Sequence, residues 1–245
     1  MTTILCEKHR FENIEAVLFD KDGTLANVES YLVALGEARA TFIDRLVPGV
    51  RDDILSAFGQ KDGHIHPAGM MAVGSRAENE IAAAAYVAVS VNDWIAALTL
   101  VRDAFDRAAE SLPMKVTQTP LLPDVLDLFG RLRANGVAIG LVSSDTHAEV
   151  DAFIAHYGLT TDWYCGAGGA MLAKSQAGFL DLACDAMGVM ASNVLVVGDS
   201  ASDIALSNQG SAGFIGLTGG WSTPPLFNFD VATVTHLAQI QTLSV

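Results

Sequence analysis

Positive charge is scarce in this chain. Lys and Arg number 14 against 28 Asp and Glu in 245 residues, a formal net charge of −14. Such a chain has no basic face with which to neutralise a phosphate backbone or an anionic bilayer, which excludes non-specific nucleic-acid binding and electrostatic membrane attachment. A small anionic substrate is not excluded, provided a metal or a few local cations hold it. Cysteine is scarce too. Cys6, Cys165 and Cys184 are odd in number and lie far apart with no CxxC pair, so neither a disulfide framework nor a structural zinc site is expected. Long apolar runs are missing: the longest, Ile81 to Val91, is well short of the ~20 residues of a membrane-crossing helix and reads as a buried, Ala-rich helix. The opening MTTILCEKHRFEN lacks the order of charge, apolar core and cleavage site of a secretory signal. The expectation is a cytoplasmic protein with no membrane and no nucleic-acid partner, working as a monomer or homodimer.

What is present is apolar: 51% of residues are hydrophobic and only 17% charged, enough to build a core and to rule out global disorder. Short apolar runs of the kind that make buried strands occur at Glu15–Phe19, Gly136–Val142, Asn193–Val197 and Ser211–Leu217, with a shorter one at Asp162–Tyr164. Helical patterns separate them. One opens at Pro123 and stops at Asn135-Gly136, one spans Thr146–Tyr157 before Gly158, and one spans Ser175–Met187 before Gly188. Alternating strand and helix predicts an α/β fold, a Rossmann-like parallel sheet with helices on both faces. Residues 28–112 break the rhythm. They are helical in pattern without a convincing strand, interrupted by the Gly-rich stretch Gly59–Gly74, and predict an all-helical cap domain inserted into a core made of 1–27 and 113–245.

Open parallel sheets bind ligands at the carboxyl ends of their strands. There the sequence sets Asp20-Lys21-Asp22-Gly23-Thr24, then Ser143-Ser144-Asp145, then Lys174 ahead of a helix, then Gly198-Asp199-Ser200-Ala201-Ser202-Asp203. Carboxylates, a hydroxyl and an ammonium aimed at one edge suit a phosphoryl group held beside a hard divalent cation. Asp20, Asp199 and Asp203 brought together would repel one another unless a cation compensates, and Mg2+ takes oxygen ligands of this kind. Lys174 would neutralise charge on the transferring group, and Ser143 would donate a hydrogen bond to it. Carboxylate attack at phosphorus is an established covalent route, with Asp22 as the natural proton carrier for the leaving oxygen.

The four segments FDKDGTL, LVSS, the lysine of AKSQAGFL, and VGDSASD resemble, in order, the four motifs of the haloacid dehalogenase superfamily. The insertion after the first resembles that superfamily's C1 cap, and the likeness is nearest to its phosphoglycolate-phosphatase-like branch. Ser175 and Ser144 stand where that branch usually carries proline and an amide. The resemblance implies a Mg2+-dependent phosphatase acting on a small phosphorylated metabolite such as 2-phosphoglycolate through an aspartyl-phosphate. It makes Asp20 the nucleophile and Asp22 the acid/base. Gly23, Thr24, Ser143, Ser144 and Lys174 become the substrate-binding set, and Asp20, the Asp22 carbonyl, Asp199 and Asp203 the metal site. A sugar-phosphate phosphomutase and a non-catalytic binding protein of the same fold are the alternatives.

Other features carry competing readings. Ser200-x-x-Asp203 is also a capping box, which would give Asp203 a helix N-terminus instead of a metal. His64-x-His66 reads as a solvated loop without a third ligand. Trp94, Trp163 and Trp221 read as packing, and Gly219-Gly220 as a turn near the active edge. Arg76, after the Gly-rich loop, is a candidate contact to a second anionic group of the substrate.

Overall fold

The computed structural model describes residues 2–168, 172–228 and 230–244. It divides into two compact units, Met1–Asn27 with Pro120–Val245, and Val28–Thr119. The first unit begins with β1 (Thr2–Cys6) and β2 (His9–Ile14), an antiparallel pair, followed by β3 (Ala16–Asp20). All five residues of β3 are buried, as a strand covered on both faces requires. β1 and β2 are additions to the sequence reading. Their connection at Glu7, which takes φ +52°, lacks the Asn-Gly or Asp-Gly pair that announces a hairpin.

The inserted unit runs through α1 (Glu29–Leu46), α2 (Arg51–Ala57), the two-residue strands β4 (Gln60–Lys61) and β5 (His64–Ile65), α3 (Met70–Val73), α4 (Arg76–Val91), α5 (Trp94–Glu110) and α6 (Lys115–Gln118). Ser75 and Glu78 form a capping box on α4, and Asp93 caps α5 through the Ala96 N–H. The unit reaches Thr119 because α6 packs back onto it: Lys115 lies over the Tyr31 ring of α1. The β4–β5 pair departs from the expected all-helical composition. α4 departs from the buried helix expected of Ile81–Val91: it buries Asn79, Glu80, Ala83, Ala84 and Val87 and leaves Ile81 and Val89 exposed at 54% and 84%. Helical spacing puts those two residues on the side opposite the buried face.

The first unit resumes with α7 (Val125–Ala134), β6 (Ala138–Thr146), α8 (His147–Tyr157), β7 (Trp163–Ala167), α9 (Phe179–Met187), β8 (Val194–Gly198), α10 (Ala201–Ser207), β9 (Gly213–Leu217), β10 (Ala232–Val234) and β11 (Ile240–Ser244). Among the described residues six strands form one parallel sheet in the order β10-β9-β8-β3-β6-β7, while β11 joins β1 and β2 in a separate antiparallel sheet. Successive β3 side chains face opposite layers. Leu18 packs with Phe179 and Leu180 of α9 and Leu206 of α10, whereas the Phe19 ring meets that of Phe129 on α7 at 5.2 Å. Helices therefore cover both faces, as the alternating pattern predicts. Two boundaries differ. α9 starts at Phe179 and not at Ser175, since Gly178 takes φ +90°, which no helix continues through. β6 runs on to Thr146, so Ser143, Ser144 and Asp145 belong to the strand and do not follow it.

The chain leaves β3 toward β6 on one side and returns to β8 on the other. β3 thus stands at the reversal of strand order where open α/β sheets bind ligands. No helix among the described residues is long and apolar enough to cross a membrane. Leu18 is fully buried at the centre of this sheet, so Leu18→Ala should cost about 3 kcal/mol in urea unfolding with the m-value unchanged. A loss under about 1 kcal/mol would contradict its placement.

Candidate active site

The end of β3 delivers Asp20, the end of β8 delivers Asp199, and the first turn of α10 delivers Asp203. Each of these buried carboxylates offers an oxygen, and the three oxygens lie within 4.8 Å of one another. The close approach depends on Gly198, where a Cβ would come 2.3 Å from Asp203 Cγ. Asp203 caps the start of α10 and also stands in the carboxylate cluster. Its Oδ2 accepts from the Ser200 N–H at 3.0 Å and the Ser200 hydroxyl at 2.6 Å, while its Oδ1 accepts from Lys174 Nζ at 2.8 Å. Lys174 also donates to Asp20 Oδ1 at 2.5 Å, so one ammonium spans two members of the cluster.

Charge is out of balance at this point. Burial, the Lys174 charge notwithstanding, pushes Asp20 well above the usual carboxylate range, and the neighbouring Asp203 and Asp199 charges push the same way. Burial and then Asp203 raise Asp199 to about 7, against hydrogen bonds from Trp221 and Thr24. For Lys174 burial alone would favour the neutral amine, but the adjoining Asp20 and Asp203 charges outweigh it and hold the ammonium well above its ordinary value. An all-oxygen donor set with more negative charge than Lys174 offsets is what a hard divalent cation needs. The residues fit one.

The loop after β3 is wound about its own backbone. The Lys21 carbonyl accepts from Leu25 N–H at 2.8 Å and Ala26 N–H at 2.9 Å. Gly23 takes φ +83°, and a Cβ there would lie 2.3 Å from Trp221 Nε1 and 2.7 Å from Asp199 Oδ2. Thr24, fully buried, donates to Asp199 Oδ1 at 3.0 Å. Both residues, expected in the substrate-binding set, lie against Asp199. Ser143 is buried, its Oγ accepting from the Asp145 N–H at 3.1 Å, and Ser144 is half-buried beside it. Asp22 pairs with Lys21, whose ammonium also meets Asp145.

Trp221 is buried, in keeping with the packing reading, and has a polar role besides. Its indole N–H donates to Asp199 Oδ2 at 2.6 Å, buried. Gly219-Gly220 makes this possible, since a Cβ at Gly220 would fall 1.7 Å from the Gly23 carbonyl oxygen. Nothing in the spacing of Trp221 relative to Asp199 signals this bond; the preceding glycine pair is the nearest hint. In the other unit Arg76 is committed to Glu80 at 2.7 Å and Asp106 at 2.6 Å. His66 Nδ1 accepts from the Ala68 N–H, and His64 lies 3.5 Å from Glu29. Trp163 packs edge-on against Phe179, while Trp94 is exposed.

A hydrogen bond to a charged group contributes about 1.5–3 kcal/mol, so Trp221→Phe should weaken divalent-cation binding roughly tenfold or more. The readout is the cation concentration at half-maximal rise in Tm. An unchanged midpoint would show that the indole N–H does not support Asp199 as a ligand.

Known proteins resemble this chain in sequence and in fold. Phosphoglycolate phosphatase of Escherichia coli (strain K12) is 26% identical over 219 residues, covering 87% of this chain and 85% of that one. The Rhodospirillum rubrum phosphoglycolate phosphatase is 23% identical over 232 residues, covering 90% and 86%. Two solved structures share the fold. A predicted phosphoglycolate phosphatase from Haemophilus somnus 129PT superposes with TM-score 0.64 at 17% identity, covering 87% of this chain and 90% of that chain. A HAD-superfamily hydrolase, subfamily IA, variant 1, from Geobacter sulfurreducens PCA does so with TM-score 0.55 at 18% identity, covering 91% and 93%. A family model for haloacid dehalogenase-like hydrolases matches residues 14–208. Because that span holds Asp20, Lys174, Asp199 and Asp203 together with the strands that bring them to one edge, the chain belongs to the haloacid dehalogenase-like hydrolases.

Proposed function

We propose that this hydrolase is a magnesium-dependent phosphatase, acting on a small-molecule phosphate monoester through an aspartyl-phosphate on Asp20. The observation that carries the reading is the Asp20 carboxylate at the end of β3, gathered with Asp199 and Asp203 and paired to Lys174 at 2.5 Å. Asp20, Asp199 and Asp203, with the Asp22 backbone carbonyl, would hold Mg2+, which when bound offsets the charge repulsion between a carboxylate nucleophile and a phosphate dianion.

The chain's own groups do the rest. An Asp20 oxygen attacks phosphorus, the bond from phosphorus to the alkoxide breaks, and Asp22 supplies the proton that makes the leaving group an alcohol. Asp22, now a carboxylate, takes a proton from water as that water attacks the same phosphorus, releasing phosphate and restoring Asp20. Lys174 pairs with the phosphoryl oxygens and Ser143 and Ser144 donate hydrogen bonds to them. Gly23 and Thr24 serve the site through Asp199, the group they pack against. The inserted helical unit corresponds to a C1-type cap. The names of the relatives favour a small organic phosphate such as 2-phosphoglycolate.

The test is turnover of 4-nitrophenyl phosphate with magnesium by the wild type and by Asp20→Asn. Loss of a covalent nucleophile should lower kcat by at least ~10³-fold, and chelation should abolish turnover until magnesium is restored. Full activity in Asp20→Asn overturns the nucleophile. Phosphate release only when a sugar bisphosphate is added favours a phosphomutase, and no turnover over a broad phosphate panel favours a binding protein.

A further inference from the structure

Lys21 lies between the two aspartates of the Asp20-Lys21-Asp22 turn, and nothing in the reaction above uses it. Its side chain is only 2% exposed. A lysine is rarely buried so completely unless its charge is paired, and here the pairing comes from three places. Its ammonium donates to Asp22 Oδ1, meets Asp145 Oδ2 at 2.9 Å on β6, and stands 5.0 Å from the centroid of the Phe153 ring on α8. Just past the end of β3, Lys21 turns to the layer of α8, where it meets Phe153, the layer opposite the α9 face that Leu18 packs on. The Lys21 backbone is fixed as well, since its carbonyl anchors the turn through Leu25 and Ala26.

A bridge from Lys21 to Asp145 alone would neutralise the ammonium and tie β3 to β6. The second carboxylate on Lys21 is instead that of Asp22, the group assigned both proton transfers. An aspartate side chain is free to turn about two torsions unless something seizes it, and proton transfer needs heavy atoms within about 2.6–3.2 Å. Held at Oδ1 by an ammonium that is itself braced by Asp145 and Phe153, the Asp22 carboxylate loses that rotation. We infer that Lys21 is a positioning residue that holds the Asp22 carboxyl group by Oδ1, so that the proton on its other oxygen is aimed at the leaving oxygen, with Asp145 and Phe153 as the supports of Lys21. The inference rests on the phosphatase reading.

Leaving-group dependence separates this role from general stabilisation. 4-Nitrophenolate departs without a proton, and phenolate is the more basic of the two, while the two aryl phosphates are nearly the same size. With magnesium present, kcat/KM reports the step in which the leaving group departs. Lys21→Met should lose at least ~10-fold more in kcat/KM on phenyl phosphate than on 4-nitrophenyl phosphate, where the loss stays under about threefold. The kcat on 4-nitrophenyl phosphate should still drop, because attack by water needs Asp22 in place. Asp22→Asn should give the same selective pattern. Asp145→Asn, which keeps the ammonium but removes its far anchor, should give it in weaker form and decides the matter if circular dichroism shows Lys21→Met unfolded. Equal losses on the two substrates, or no loss on either, overturn the inference while leaving the phosphatase reading intact. A wild type inactive on both substrates overturns that reading, and this inference with it.

Discussion

Three buried carboxylates on one point with a single lysine bridging two of them is the constraint around which the core is arranged. Burial, and then the charges of neighbouring carboxylates, raise the proton affinity of Asp20 and Asp199, so without a cation the folded state carries strain that packing has to offset. Each member is accordingly tied down. Asp203 is held by Ser200 and Lys174, Asp20 by Lys174, and Asp199 by Thr24 and Trp221. Lys174 offsets part of the charge and the other donors are neutral, which leaves a net-negative oxygen cage preorganised for a hard ion.

The backbone makes room for this crowding at glycines. Gly198 lets Asp203 close against the end of β8, and Gly23 and Gly220 bring the loop after β3 onto the turn that carries Trp221. A methyl group at any of the three would collide with an atom of the site or of its supporting turn. The parallel sheet supplies the remaining order, because β3, β6 and β8 are neighbours and their carboxyl ends lie at one edge.

The sequence shows a large part of this directly. Fully buried strands such as Val194–Gly198 leave an unmistakable run of β-branched and apolar residues, and the acidic groups that follow them are few enough to stand out. That reading captures Asp20, Lys174, Asp199 and Asp203 as a set, along with the helical insertion after β3. Lys21, Asp145 and Trp221 are harder to see. Lys21 occupies the spacer position of an Asp-x-Asp motif, and its partners lie on β6 and α8. Trp221 reaches Asp199 from a turn beyond β9. Such contacts depend on how distant segments pack, which no local periodicity encodes. The small sheet of β11, β1 and β2 is hidden for the same reason, since it joins Thr2 to Ser244 at opposite ends of the chain.

The most direct test of the shared-cation account is a crystal structure of the wild type grown with magnesium and a fluoride mimic of the phosphoryl group. The account predicts the ion bound to Asp20 and Asp199 at the ~2.0–2.1 Å expected of Mg–oxygen bonds, with the mimic against the second Asp20 oxygen. Magnesium seated away from these carboxylates, or an Asp20 side chain turned from the mimic, would contradict it.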